Sequence, residues 1–368
     1  VLANMLGVQK IQNGVQVVLN TDGLNGMLEP IKARTDRPAK NAKFIFNDDT
    51  RQLEAIEESQ TGLVVDVDAS VKAINDALLR GEHTVSLVVV VDQPQLPSTV
   101  TGAELGITEL LWAETSYFYG SSTERIQNIQ AASARFHGIL VAPGETFSMG
   151  ETMGDVSLEN GFAEALIIYG GRTIKGVGGG VCQVSTTLFR TAFNSGMPIV
   201  ERYSHAYRVS YYEQTVSGSV DTRLAGLDAT VYFPLVDFKF KNDSPYWILM
   251  ETYVNVNART LTWKFYSTKD GRTVDWSTTG PTQIVSAPPP IYEENLELKK
   301  NEMKQVDWAA NGADVTVTRT VYRNGAVLFQ DQITTHYEPW QAVCEYGPDS
   351  KNPEKLAEEK NLCRNPSS

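Results

Sequence analysis

Cys182 closes the run Gly178-Gly179-Gly180-Val181-Cys182, with Gln183 next. A cysteine is a nucleophile only as thiolate, so its chemistry depends on what lowers its pKa. The apolar spacing after the glycines predicts a helix over 181–194, stopped by Ser195, Gly196 and Pro198. Cys182 then sits in the first helical turn, where unpaired N–H groups and the helix dipole favour negative charge. The glycines permit a tight turn and close approach of a substrate backbone. N–H groups of the turn at Gly179 and Gly180, with the Gln183 amide, are candidates for holding an oxyanion.

A thiolate of this kind needs an imidazole base, and the imidazole needs an orienting acceptor. The chain has 4 histidines. His83 precedes a predicted strand, His137 ends a predicted helix, and His336 lies in the distal β-rich stretch. His205, in Arg202-Tyr203-Ser204-His205, stands just before a predicted strand at 207–212. A helix bearing Cys followed by a strand bearing His is the chain order of papain-like thiol enzymes. Asp228, opening a predicted strand at 229–233, is the candidate to orient His205; Asp221 and Asp237 are weaker ones. Glu201 and Arg202 are candidates to bind substrate charge. A structural reading competes with all of this: the glycines serve only the turn, Cys182 is a small buried hydrophobe, and His205 caps a strand.

The elements around these residues predict an α+β, multi-domain chain. In the N-terminal stretch, 42–46 and 52–56 alternate around Asn47-Asp48-Asp49-Thr50 as a hairpin, and 62–67 reads as a strand. A helix over 69–80 takes Asp68 as N-cap, turns Val71, Ile74 and Leu78 to one face, and stops at Gly81. The β-branched run 84–91 reads as a buried strand, and Pro94, Pro97 and Gly102 mark a boundary. A helix over 124–137 has capping-box spacing at Ser121 and Glu124 and a stop at Gly138. Strands are expected at 199–202, 236–241 and 247–253, and from Arg259 the chain reads as all-β, with an Asn324-Gly325 hairpin turn. The expected domains are an α+β unit over 1–104, an α+β unit over 105–255 whose Cys-bearing helix packs on a sheet, a β-rich unit over 256–348, and a mobile polar tail over 349–368.

Composition narrows the function. The chain has 368 residues, 42% hydrophobic and 21% charged, with a formal net charge of −12. That acidity repels phosphate backbones and argues against nucleic acid as a partner. No apolar stretch is long enough to span a membrane. The first residue is Val1, and a removed secretory signal or anchor is one explanation. Only 3 cysteines occur. They form no CxxC pair and flank no His cluster, which argues against a structural zinc site. Cys344 and Cys363 lie near the C-terminus and are candidates to bridge in an oxidising compartment, a pairing the sequence leaves open; if they pair, Cys182 is the free thiol. It has no nearby resolving cysteine, which disfavours redox sensing.

The motifs Arg125-Ile126-Gln127-Asn128-Ile129, Pro143-Gly144-Glu145-Thr146-Phe147-Ser148, Asn160-Gly161-Phe162, 178–188, Glu201-Arg202-Tyr203-Ser204-His205 and Asp228-Ala229-Thr230-Val231 resemble the VanW family over about 105–254. The preceding region resembles a peptidoglycan-binding domain, and the region after Met303 is loosely similar to the extracellular G-five domain. The resemblance implies a bacterial surface protein at the cell wall, with peptidoglycan or a wall peptide as partner and no cofactor or metal. It implies no particular reaction, because the biochemical role of the family is not established. Two functions are expected: thiol-based acyl transfer or hydrolysis on stem peptides through Cys182, His205 and Asp228, or non-catalytic wall binding, with a homo-oligomer or surface assembly open in either case.

Overall fold

The structure, a computed structural model, describes residues 6–82, 84–170 and 172–366; His83 lies outside the described residues. The fold is α+β with a β-rich C-terminal region, and it divides into two compact units. One runs up to Phe44 and includes Glu54–Thr101; the other comprises Ile45–Leu53 and everything from Gly102 onward.

The first unit contains the hairpin β1 (Leu6–Ile11) and β2 (Gly14–Leu19), then α1 (Thr21–Thr35). A second hairpin, β3 (Lys43–Asn47) and β4 (Gln52–Glu57), whose turn belongs to the second unit, turns where the Asn-Asp-Asp-Thr run predicts. β5 (Gly62–Val65) leads into α2 (Val67–Leu79). The N-cap of α2 is Asp66, not Asp68, because the Asp66 carboxylate takes the Ala69 N–H at 2.9 Å. Val71 is buried but Leu78 faces water. The run 84–91 is not one buried strand. Val88 spends its N–H on Ser70 Oγ and its carbonyl on Asp66 N–H, so pairing with β5 begins only at β6 (Val89–Asp92), an exposed edge.

The second unit opens with the turn α3 (Gly102–Leu105) and the long strand β7 (Glu109–Tyr117). α4 (Thr123–Phe136) is capped by Ser122, whose Oγ accepts the Arg125 N–H; Ser121 Oγ takes the Arg125 guanidinium instead, so the cap lies one residue beyond the expected Ser121 and the expected box does not form. Next come β8 (Ile139–Val141), β9 (Thr146–Ser148), α5 (Met149–Met153) and the hairpin β10 (Glu164–Tyr169) and β11 (Arg172–Val177). α6 (Val181–Asn194) has the expected limits. β12 (Ile199–Glu201), β13 (Lys239–Lys241), β14 (Ile248–Asn255) and β15 (Thr260–Ser267) follow.

Two antiparallel sheets frame this part, ordered β7-β15-β14-β8 and β12-β13-β9. β15 pairs with both β14 and β7, so the sheet continues past residue 255, and the strands after β15 belong to other sheets. α6 packs on β7 and β15. Phe189, Phe193, Phe238, Phe240, Trp263 and Phe265 supply the bulk of the core beneath it. α6 is buried on nearly all sides, including its polar residues. Ser185 and Thr186 donate to the Ala229 carbonyl, and Arg190 donates to the carbonyls of Leu227 and Tyr212. Those side chains occupy the backbone groups a ladder would need. Neither 207–212 nor 229–233 is therefore a strand. The first holds a 3-10 turn at Ser210–Glu213, and the second is extended chain laid against α6.

The β-rich region holds β16 (Arg272–Thr278), β17 (Thr282–Val285), β18 (Ile291–Glu294), β19 (Met303–Asp307), β20 (Gly312–Arg323), β21 (Ala326–Tyr337) and β22 (Val343–Tyr346). β20 pairs with β16, β17 and β21. Ala313, Val315, Val317 and Tyr337 join the same core as α6. The tail is not a loose polar end: it forms α7 (Pro353–Lys360), and Cys363 is disulfide-bonded to Cys344 inside a small apolar cluster with Met303, Ala342 and Ala357.

Candidate active site

Gly180 adopts φ +117° and serves as the N-cap of α6, a conformation open to glycine and strained for other residues. A Cβ there would also lie 2.8 Å from the Arg125 carbonyl. The turn therefore needs glycine at 180 for its own packing. It delivers Cys182 to the second position of the helix, half-buried, with no disulfide partner.

The Cys182 sulfur lies 3.4 Å from Thr230 Oγ1 and also receives the Val231 N–H. Its main partner is the His205 ring. His205 is 5% exposed and sits on a loop after β12, not on a strand. Its Nδ1 is 2.6 Å from Asp228 Oδ2, and its own backbone N–H donates to the same oxygen at 2.8 Å. With Nδ1 on Asp228, Nε2 is the nitrogen left for the thiol. The ring leans on Tyr212 at 4.9 Å between centroids. The structure thus brings Cys182, His205 and Asp228 together, with His205 between the other two.

Asp228 is buried and saturated. Oδ1 takes Arg202 Nη2 at 3.1 Å and the Tyr337 hydroxyl, and Oδ2 takes both His205 donors. Tyr337 Oη accepts the Gly226 N–H at 3.0 Å, which directs its proton at Asp228. Arg202 is fully engaged, donating also to the carbonyls of Asp228 and Gly226 and to Thr335 Oγ1. It holds Asp228 in place and is not available to bind substrate charge. Glu201 pairs with Lys239. Asp237 receives Ser148 Oγ and the Gly150 N–H at the start of α5, and Asp221 pairs with Arg223, so neither orients His205.

Gln183 also departs from its expected part. Its amide is buried between Ser116 Oγ and Arg125, away from any oxyanion. Gly179 gives its carbonyl to Asn128, and a Cβ there would strike the Ala165–Leu166 backbone. Val181 N–H returns to Gly178 and Gln183 N–H to Gly180, while the Cys182 N–H has no acceptor among the described residues. The N–H groups of Gly179 and Gly180 likewise have no acceptor among the described residues, so the turn and the first helical residue together offer donors for an oxyanion.

The charges follow. Burial pushes the Cys182 thiol up, but the His205 ring, the Thr230 hydroxyl and the Val231 N–H outweigh it and bring the thiol down to about 7. Burial pushes His205 down, but Asp228 and the thiolate raise it to about 10. Burial also works against the Asp228 carboxylate, and its donors, His205 first, hold it well below the usual carboxylate range. The two shifts run in opposite directions, toward a thiolate–imidazolium pair backed by a carboxylate. The pair opens into a cleft of about 720 Å³, lined by the glycine turn, Ser204, Tyr211, Tyr212 and residues of α5 and β10.

Residues 124–266 match the family model "VanW like protein". Less than half of the chain is similar to that family. Cys182, His205 and Asp228 all fall inside the matched residues. Residues 3–86 match the model described as "Putative peptidoglycan binding domain". The Bacillus subtilis (strain 168) "Uncharacterized protein YoaR" is 37% identical over 135 residues, which cover 37% of this chain and 41% of that protein. The Enterococcus faecalis (strain ATCC 700802 / V583) "Vancomycin B-type resistance protein VanW" is 24% identical over 169 residues, covering 46% of this chain and 58% of that protein. The chain thus spans about half the length of these relatives. Two solved G5 domains, "IgA1 Protease G5 domain structure" and "Crystal structure of HP0197-G5", align at 17% and 15% identity with TM-scores of 0.14 and 0.11, covering 22% and 21% of this chain and 92% and 97% of theirs.

Sequence reasoning missed Thr230, Tyr337 and Thr335. Thr230 lies within the motif around Asp228 and was within reach of inspection. Tyr337 and Thr335 lie far along the chain, on β21, and carry no local signal.

Proposed function

We propose that the VanW-like region is a cysteine acyl-transfer or hydrolytic site acting on peptides of the cell wall. The observation that supports this most is the contact of Cys182 with His205, and of His205 with Asp228, beside an open cleft that Cys182 and His205 line. In the reaction, the Cys182 thiolate adds to a peptide carbonyl and the oxyanion is held by the Cys182 N–H. The C–N bond then breaks, and the leaving amine takes the proton from His205 Nε2, giving a thioester. Neutral His205 next removes a proton from water or from an incoming amine. Attack on the thioester releases acid or a new amide and returns the proton to the pair. Asp228 keeps the imidazole aligned throughout. The match of residues 3–86 to a peptidoglycan-binding family supports the wall as the place of action. An extracytoplasmic location goes with this reading. Among the described residues, no helix is long and apolar enough to cross a membrane.

The test is iodoacetamide labelling across pH, read by peptide mass spectrometry. Cys182 is expected to label half-maximally near pH 7, where a free thiol does so near about 8.5. A midpoint at the ordinary value sinks the reading. The competing reading, wall binding without chemistry, is favoured by the same match over 3–86, and it predicts retention on purified peptidoglycan whatever the state of Cys182.

A further inference from the structure

We propose that the cleft beside Cys182 selects a peptide carrying a long aliphatic side chain that ends in a free ammonium group, the chemistry of the diamino residue of a wall stem peptide. The inference rests on the acyl-transfer reading for the purpose of the cleft, but its binding claim stands on the lining alone.

Two carboxylates line the cleft, Glu151 and Asp155; apart from the Cys182–His205 pair they are its charged groups, and no lysine or arginine lines it among the described residues. Both are exposed. Neither has an ion-pair partner among the described residues; Asp155 receives only the Asn160 amide, at 3.1 Å from Oδ2. Lys239, which feels Glu151, is held at 2.8 Å by Glu201 and lies 3.8 Å from Asp237. The rest of the lining is largely apolar. Val156 follows Asp155 and packs on Gly178, so a Cβ at Gly178 would strike it. Phe233 lies flat against Gly150, next to Glu151, and remains 43% exposed. Leu166 on β10 is 50% exposed.

Each carboxylate is therefore tied to the nucleophile's surroundings. Asp155 precedes Val156, which packs on Gly178 of the turn before Cys182. Glu151 follows Gly150, against which Phe233 packs, and Phe233 belongs to the segment whose Val231 N–H reaches the sulfur. Apolar walls suit methylenes, and a partly enclosed surface of one sign attracts the opposite charge and repels its own. An alkyl chain along Val156, Leu166 and Phe233 brings its ammonium to the carboxylates. A free C-terminal carboxylate is repelled from the same place.

The experiment uses the whole chain with Cys182→Ala, which keeps the cleft and stops turnover. Calorimetry compares the peptide L-Ala-γ-D-Glu-L-Lys-D-Ala with the same peptide acetylated on the lysine Nε. The free amine is expected to bind about 10-fold tighter, and that advantage is expected to shrink as salt rises. It is expected to vanish in the added double variant Glu151→Gln, Asp155→Asn, where both side chains are at the surface and the fold is retained. Equal binding of the two peptides, or binding of neither, overturns the proposal. The labelling midpoint of wild-type Cys182 separates the two ideas. An ordinary midpoint with amine selectivity intact sinks the acyl-transfer reading alone; a low midpoint without selectivity sinks the amine site alone.

Discussion

The two cysteine settings of this chain differ in almost every physical respect. Cys182 is half-buried at a helix start, ringed by an imidazole, a hydroxyl and a backbone N–H. Cys344 and Cys363 are buried among Met303, Ala342 and Ala357 and bonded to each other. One environment stabilises a negative sulfur, and the other hides sulfur from water and from charge. The residue type is the same, so the difference lies in what surrounds it.

The comparison breaks most readily at Asp228. Asp228→Asn removes the charge that Arg202 and His205 share in the interior, and a buried pair that loses one partner costs about 3–5 kcal/mol. A fall of that size in denaturant-derived stability is expected, together with slower labelling of Cys182. At the other cysteine setting, Cys344→Ser with Cys363→Ser opens a loop of sequence separation 19. The expected loss is about 3 kcal/mol in stability. The labelling midpoint of Cys182 should stay where it is; a shift would show that the two settings are coupled.

His205→Ala tests the first setting alone. Burial by itself pushes the thiol up, and His205 is the first of the groups that bring it down. Without the ring the midpoint is expected to rise from about 7 to at least the ordinary thiol value of about 8.5. The sign matters: a midpoint that stays near neutrality would mean the helix start and Thr230 suffice. The smallest effect is expected from Tyr337→Phe. It removes one donor from a saturated carboxylate, at about 1–2 kcal/mol of stability measured by thermal or urea unfolding. A loss well below that range would show that Arg202 and His205 hold Asp228 without it.

Residues 181–194 were legible as a helix because the signal is local: a helical apolar period, glycine before it and Ser195-Gly196 after it, with Gly196 at φ +74°. Cys182, His205 and Asp228 were legible by type and by motif. The strands expected at 207–212 and 229–233 were not there. Alternating residues in those segments face a buried helix, and their backbone groups bond to its side chains instead of to a neighbouring strand. Arg202 and Gln183 looked like ligand-binding groups because a polar side chain near a nucleophile usually reaches water. Here burial turns both inward, and each is satisfied by neighbouring protein groups.

Composition and local pattern by themselves determined the class of the protein, the helix that carries the thiol, and the residues able to do chemistry. Only the tertiary structure decided which of them meet. Helix ends and turns depend on backbone bonds within a few residues, which a single stretch of sequence records. The buried carboxylate of Asp228 depends on donors from β21 and from the loops around 202 and 205, and their arrival is set by the packing of one shared core.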